Sequence, residues 1–222
     1  MKNAFICIIG IDGSGKTSHA KALAKSLKQK GLPCKYVWAR WTPQFLKPIE
    51  FVLNKFYFKS KSVYTSNYEE YTKEKQKIIG NHMLGLLWQY LVLLDYFFQY
   101  LFKIRLPLLF RKTIVCDRYI YDTLVDLMVN FNSSGEETEG SLMHYFLSLF
   151  TKPDLIFLLD VPEVVACKRR GDLGLLNYLT DRRKIYLELS HALEALVLDN
   201  SKNFAEIQSN IVNVVESVMT NE

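Results

Sequence analysis

The 222-residue chain carries only four cysteines, Cys7, Cys34, Cys116 and Cys167, and no two of them are close enough for a C-x-x-C pair. That argues against a disulfide framework or a thiolate metal site. Buried small hydrophobes in a reducing compartment are expected instead. The four histidines, His19, His82, His144 and His191, show no metal-ligand spacing either. Repeats and low-complexity segments are absent, and the balance of 49% hydrophobic and 23% charged residues rules out a collagen-like, mucin-like or wholly disordered chain. A strong charge bias is missing too. The net +5, from 28 basic and 23 acidic residues, is too small to choose between nucleotide, nucleic acid and lipid. No basic-aromatic patch of the kind that binds nucleic acid stands out. The first apolar stretch, Ala4 to Ile9, is too short for a secretory leader and runs straight into glycines, so a cytoplasmic chain is expected.

Aromatic residues, by contrast, are abundant: thirteen Tyr, fourteen Phe and three Trp, many of them mid-chain. From Met83 to Phe102 the one charged residue is Asp95. That length could span a bilayer. Its Tyr and Trp are spread along it rather than gathered at two interfaces, so the preferred reading is a helix buried in a core or a subunit seam.

Short apolar runs read as strands at Phe5 to Ile9, Cys34 to Ala39, Thr113 to Cys116, Leu155 to Leu159 and Ala195 to Leu198. Between them, helical spacing covers Thr17 to Lys30, Pro43 to Phe58, Glu69 to about Arg105, Tyr119 to Val129, Glu163 to Arg170, Asp181 to Leu196 and Phe204 to Met219. The long third helix is expected to break near Gly80 or Gly85 and to end before Pro107. Lys59 to Asn67 and Asn130 to Gly140 read as loops. Strands alternating with helices predict an α/β fold of three layers, a parallel five-stranded sheet with helices on both faces. The whole chain, 1–222, reads as one domain. Ligands in such sheets sit beyond the carboxyl ends of the strands.

At one such end, Gly10-Ile11-Asp12-Gly13-Ser14-Gly15-Lys16-Thr17 matches the P-loop pattern G-x-x-x-x-G-K-[ST]. The glycines allow backbone angles that turn successive N–H groups inward on phosphate oxygens. The following helix adds its positive N-terminal end. Lys16 is expected to reach the β- and γ-phosphates and Thr17 to ligate Mg²⁺. Gly10, Asp12, Gly13, Ser14, Gly15, Lys16 and Thr17 thus form the expected ATP-binding set.

Two further strand-end features point the same way but also have plainer readings. Asp117 can hold Mg²⁺ through water, with Arg118 clamping a second anion; a surface ion pair or a helix cap is equally compatible. Lys168, Arg169 and Arg170 precede Gly171, and Arg182 and Arg183 follow a short link. Such arginines can close over transferring phosphates, or simply form a solvated helix face.

In this order, these features resemble the thymidylate kinase family of nucleoside monophosphate kinases. The matching points are the Ile9 to Thr17 loop, Arg40-Trp41-Thr42-Pro43, Asp117-Arg118-Tyr119, Pro153-Asp154-Leu155, Leu159-Asp160-Val161-Pro162-Glu163-Val164, Lys168 to Gly171, Tyr186-Leu187-Glu188-Leu189 and Leu198-Asp199-Asn200-Ser201. The resemblance implies the P-loop nucleotide kinase fold with a lid at about 168–182. It also implies transfer of the ATP γ-phosphoryl group to thymidine monophosphate with Mg²⁺, and a homodimer. By position, Asp12, Arg40, Arg118 and Tyr119 would bind the acceptor, and Thr17 and Asp117 the metal. Lys16, Arg118, Arg169 and Arg170 would stabilise the migrating phosphoryl group. The family's base-binding helix usually carries an arginine, which should lie around Leu93 to Phe97; here that stretch is Leu93-Leu94-Asp95-Tyr96-Phe97. A related kinase with another acceptor, a nucleoside or a small phosphate ester, fits the same motifs. So does a non-catalytic nucleotide-dependent regulatory or docking protein.

Overall fold

The computed structural model describes residues 3–47, 82–131 and 147–220. The expected helical segments over 48–58 and 69–81, the loop over 59–67 and the loop over 132–140 lie outside the described residues.

Five strands build one sheet: β1 (Phe5–Ile9), β2 (Cys34–Trp38), β3 (Thr113–Asp117), β4 (Leu155–Asp160) and β5 (Leu196–Asp199). All neighbours are parallel, in the order β2-β3-β1-β4-β5. Period-two alternation divides each central strand between two apolar layers. Phe5, Cys7 and Ile9 face one layer; Ile6 and Ile8 face the other. The second layer is closed by α1 (Lys16–Gln29) through Ala20, Leu23, Ala24 and Leu27. A terminal helix, Phe204–Thr220, adds Ile207, Ile211 and Val215 to it.

The first layer is covered by α2 (His82–Tyr100), α4 (Ile120–Phe131), α5 (Glu163–Arg170) and α6 (Leu176–Ala192). Helix α2 continues through a π-helical turn, Leu101–Arg105, into the short α3 (Leu106–Leu109). Two expectations are corrected here. Gly85 does not interrupt the helix, and the chain stays helical past Pro107. Proline costs no hydrogen bond in the first turn of a helical segment, and the wide π-turn resets that segment just before it. Likewise α6 begins at Leu176 rather than Asp181, after a 3-10 turn at Leu173–Leu175, so the link after Gly171 is short.

Along α2 the inward stripe is Val92, Leu93, Tyr96, Tyr100 and then Ile104, spaced by helical turns. Tyr96, Phe97 and Tyr100 pack around Phe150, and Tyr100 meets Tyr119. Much of the aromatic excess is therefore core. The outward stripe, Leu87, Tyr90, Leu94, Phe98 and Phe102, is exposed. No helix among the described residues is long and apolar enough to cross a membrane. The four cysteines are buried and free.

Candidate active site

The β1–α1 turn lies at the carboxyl end of the central strand, where connections leave to either side of the sheet. Its shape depends on glycine. Gly10 has φ +139° and a Cβ there would stand 2.6 Å from the Leu159 carbonyl oxygen. Gly13 has φ +87°, with the Ala166 carbonyl 2.6 Å from its would-be Cβ. Any side chain would both strain the backbone and collide with those carbonyls, pushing the loop out of place. Ser14 N–H donates to the Ile11 carbonyl at 3.1 Å, closing the turn, and α1 starts at Lys16.

Neighbouring chain braces this turn from behind. Asn200, just past β5, donates from Nδ2 to the Ser14 carbonyl at 2.6 Å. Its Oδ1 is 3.0 Å from Nε2 of His19, whose Nδ1 is 2.8 Å from Gln208. The His19 ring stacks on Phe204, centroids 4.2 Å apart. Arg169 donates to the carbonyls of Asn200 (2.9 Å) and Gly13 (3.5 Å). So Arg169 supports the cradle, while its neighbour Arg170 turns to Asp12, Nη1 to Oδ2 3.0 Å.

Asp12 is the electrostatic centre. Arg118 Nη2 pairs with its Oδ1, Arg170 with Oδ2, Arg40 Nη1 stands 3.8 Å from Oδ2, and Lys16 Nζ is 4.0 Å from Oδ1. Burial alone would raise this carboxyl, but Arg118, Lys16 and Arg40 outweigh it and hold Asp12 well below the usual carboxylate range. Lys16 behaves oppositely. Burial, then Arg118, bring its ammonium down to about 8, against the pull of Asp12, Asp122 and Asp117. Its Nζ donates to the carbonyls of Gly10 (2.7 Å) and Ile11 (2.6 Å).

A second donor set lies beside the first helical turn. Thr17 Oγ1 donates to Asp117 Oδ2 at 2.6 Å, and the Tyr36 hydroxyl donates to the same oxygen at 2.8 Å. Asp117 Oδ1 is buried with no hydrogen-bond partner among the described residues, and so is Ser14 Oγ. A hydroxyl next to a carboxylate with one uncommitted oxygen is a donor set that a hard divalent cation takes. The cradle and this pair therefore fit a nucleotide phosphate chain with its metal.

Arg118 has a left-handed backbone, φ +68°, unusual for a side chain of its size. Asp122 fixes the turn: its Oδ2 accepts the Tyr119 N–H (3.0 Å), its Oδ1 accepts the Tyr186 hydroxyl (2.6 Å) and Arg118 Nη1 is 3.6 Å away. Burial pushes the Asp122 carboxyl up, with Arg118 first among the groups that oppose it. One turn further on, Asp126 faces Arg40 (3.4 Å) and pairs with the buried Arg182, whose guanidinium lies over the Tyr178 ring at 4.2 Å. Arg183 turns elsewhere, bidentate on Asp160 with Glu163 behind it.

The structure thus brings together Asp12, Lys16, Arg40, Arg118 and Arg170 from four segments, with Thr17 and Asp117 adjacent. It does not bring Tyr119 to them. Tyr119 is fully buried, edge-on to Phe5 (5.1 Å), with its hydroxyl on the Thr151 carbonyl (3.0 Å), so its position does not suit the expected acceptor contact. The sequence reading missed Asn200, His19, Asp122 and Asp126 as site residues. A signal existed for the last two: residues 118, 122 and 126 share one face of a helical turn. None existed for His19, which acquires its partners from residues 200 and 208.

No family model matches the chain. Curated relatives match it over nearly its whole length. "Probable thymidylate kinase" of Methanocaldococcus jannaschii is 28% identical over 220 residues, covering 97% of each chain. The protein of the same name from Archaeoglobus fulgidus is 28% identical over 223 residues, 96% of this chain and 95% of its own. That from Pyrococcus abyssi is 25% identical over 229 residues, 97% of each. A nucleotide-binding phosphotransferase with a three-layer P-loop fold accords with these relatives and with the sheet described above.

Proposed function

With membership of the thymidylate kinase family supported by these full-length relatives, we propose that the protein transfers the γ-phosphoryl group of ATP to a nucleoside monophosphate, thymidine monophosphate being the first acceptor to test. The observation that carries this reading is the placement of Asp12. It stands at the mouth of the phosphate cradle and is faced by Arg40, Arg118 and Arg170 from three other segments. One phosphate cradle beside a cluster of three arginines suits two phosphate-bearing substrates meeting end to end.

The chain's own residues divide the work. The Gly10–Gly15 backbone and Lys16 bind and orient the donor phosphates. Thr17 and Asp117 would hold Mg²⁺, which neutralises charge on the phosphate oxygens when bound. Arg40 and Arg118 receive the acceptor phosphate, leaving Asp12 as the carboxylate that keeps them spaced. Arg170, the last residue of α5 and part of the segment that we assign as the lid (about 168–182), neutralises charge between the two substrates. Such catalysis is positioning plus electrostatics, needing no general base of unusual strength. The exposed α2 stripe of Leu87, Leu94, Phe98 and Phe102 is the face we assign to a homodimer seam.

The test is ADP formation from ATP and Mg²⁺ with a panel of nucleoside monophosphates and nucleosides. Turnover with at least one monophosphate is expected. Intact ATP binding without turnover on any acceptor overturns the kinase reading and favours a nucleotide-dependent docking protein.

A further inference from the structure

Asp95 is the one charged residue between Met83 and Phe102, and it is 3% exposed. A carboxylate buried in an apolar helix is costly unless donors surround it. Here they do, and three of them come from one segment. Oδ2 accepts Trp41 Nε1–H at 3.1 Å and the Gln44 N–H at 3.0 Å; Oδ1 accepts the Phe45 N–H at 3.1 Å. The neighbours of Asp95 on α2 grip the same segment through its carbonyls. Tyr96 donates its hydroxyl to Ala39 (3.0 Å), and Gln99 Nε2 donates to Thr42 (2.7 Å) while approaching Asp95 Oδ2 at 3.5 Å. Lys103 donates to the other end of Gln99 at 3.0 Å, bringing a cation to the network.

The segment so held, Ala39 to Phe45, leaves the end of β2 and carries Arg40. Among the described residues, the Arg40 side chain meets Asp12 at 3.8 Å and Asp126 at 3.4 Å, so its reach depends on where its backbone is held. A loop following an edge strand has backbone groups with no sheet partner, and hydrogen bonds to an ionised acceptor are about twice as strong as neutral ones. From these contacts we infer that Asp95 is a positioning residue for acceptor binding: its buried carboxylate fixes the Trp41–Phe45 turn and thereby sets Arg40 against the acceptor phosphate. The stretch in which a base-reading arginine was expected is used instead to hold the loop. The inference rests on the kinase reading for its effect on the acceptor, but not for the clamp itself.

Two measurements separate those parts. Amide hydrogen exchange at Gln44 and Phe45 should accelerate at least tenfold in Asp95→Ala, and less in Asp95→Asn, while β1 and α1 amides stay protected. Unchanged exchange at both amides overturns the clamp. In steady-state assays, Asp95→Ala should raise the KM for the acceptor monophosphate about tenfold and leave the KM for ATP within twofold. Arg40→Ala should give the same pattern, and the double variant should be no worse than Arg40→Ala alone, because both changes remove one function. Additive losses, or equal losses for ATP and acceptor, overturn the link to Arg40. Trp41→Phe removes the indole N–H that Asp95 Oδ2 accepts and should give a two- to threefold rise in acceptor KM. It serves if Asp95→Ala does not fold, since a purely structural role for Asp95 predicts no acceptor-specific change from it. If the wild-type chain phosphorylates no acceptor, the kinase reading fails while the exchange result still decides the clamp.

Discussion

The two halves of the site are built by different means. The donor side is eight consecutive residues whose shape is dictated by glycine backbone angles, and its braces act on carbonyls of the loop itself. On the proposed reading, the acceptor side is three arginines from three distant segments that converge on Asp12, two of them also met by a carboxylate elsewhere: Arg118 by Asp122 and Arg40 by Asp126, with the Asp95 clamp behind Arg40. A backbone-determined half is hard to alter without destroying it. A half held by side-chain pairs can change one member at a time.

Breaking the donor side should have the largest effect. Lys16→Ala removes the buried ammonium from the phosphate cradle, and turnover should fall on the order of 10²- to 10³-fold or more, by analogy with loss of a preorganised charge donor. Gly13→Ala should match it, since its Cβ would meet the Ala166 carbonyl at 2.6 Å. Equilibrium binding of ATP, measured by calorimetry, should be lost in both. A Gly13→Ala protein that binds ATP normally would show that the cradle is not backbone-determined.

On the acceptor side, Arg118→Ala leaves Asp12 and Asp122 facing each other without the cation between them. Asp12 keeps Arg170, but the acceptor phosphate loses a charged hydrogen-bonding partner, a truncation that costs roughly 2–5 kcal/mol, so kcat/KM for the acceptor should fall on the order of 10²-fold. ATP affinity should change far less. Equal loss for both substrates would merge the two halves that the geometry separates.

A smaller, pH-dependent effect belongs to the donor side alone. The Lys16 ammonium titrates near 8, lowered by burial and by Arg118. Below that pH it holds its proton and attracts phosphate; above it the proton must be taken up on binding. ATP affinity should therefore weaken about tenfold per pH unit above 8, until the pH passes the higher pKa that Lys16 has beside bound phosphate and proton uptake ceases. Lys16→Met should bind weakly with no such slope. A slope that persists in Lys16→Met would assign the titration to another group.

The smallest effect tests a residue that the geometry removes from the site. Tyr119→Phe deletes the hydroxyl that satisfies the Thr151 carbonyl, costing about 1–3 kcal/mol of stability in denaturant unfolding. The acceptor KM should not move. A rise in KM without loss of stability would return Tyr119 to the acceptor site.

Residues 10–17 were readable because eight neighbours in sequence are neighbours in space, with chemistry fixed by residue type. The strands were readable because short apolar runs bounded by polar residues have few alternatives. The helix ends near Pro107 and Leu176 were misjudged, because a π-turn and a 3-10 turn reset the pattern without a composition signal. Asp117-Arg118-Tyr119 shows the limit most clearly. Three adjacent residues go to the Thr17 hydroxyl, the arginine cluster and the core, and the positive φ at Arg118 separates their directions.

By itself, then, the amino-acid sequence determined the parallel sheet and the phosphate cradle, because both depend on local pattern and backbone freedom. The tertiary structure alone decided what the sparse features were for. The few cysteines are packing atoms, and the single charge in the aromatic stretch accepts hydrogen bonds from a loop some fifty residues away. Such a pairing has no trace in local sequence, since a buried carboxylate is defined by its donors, and the fold supplies them.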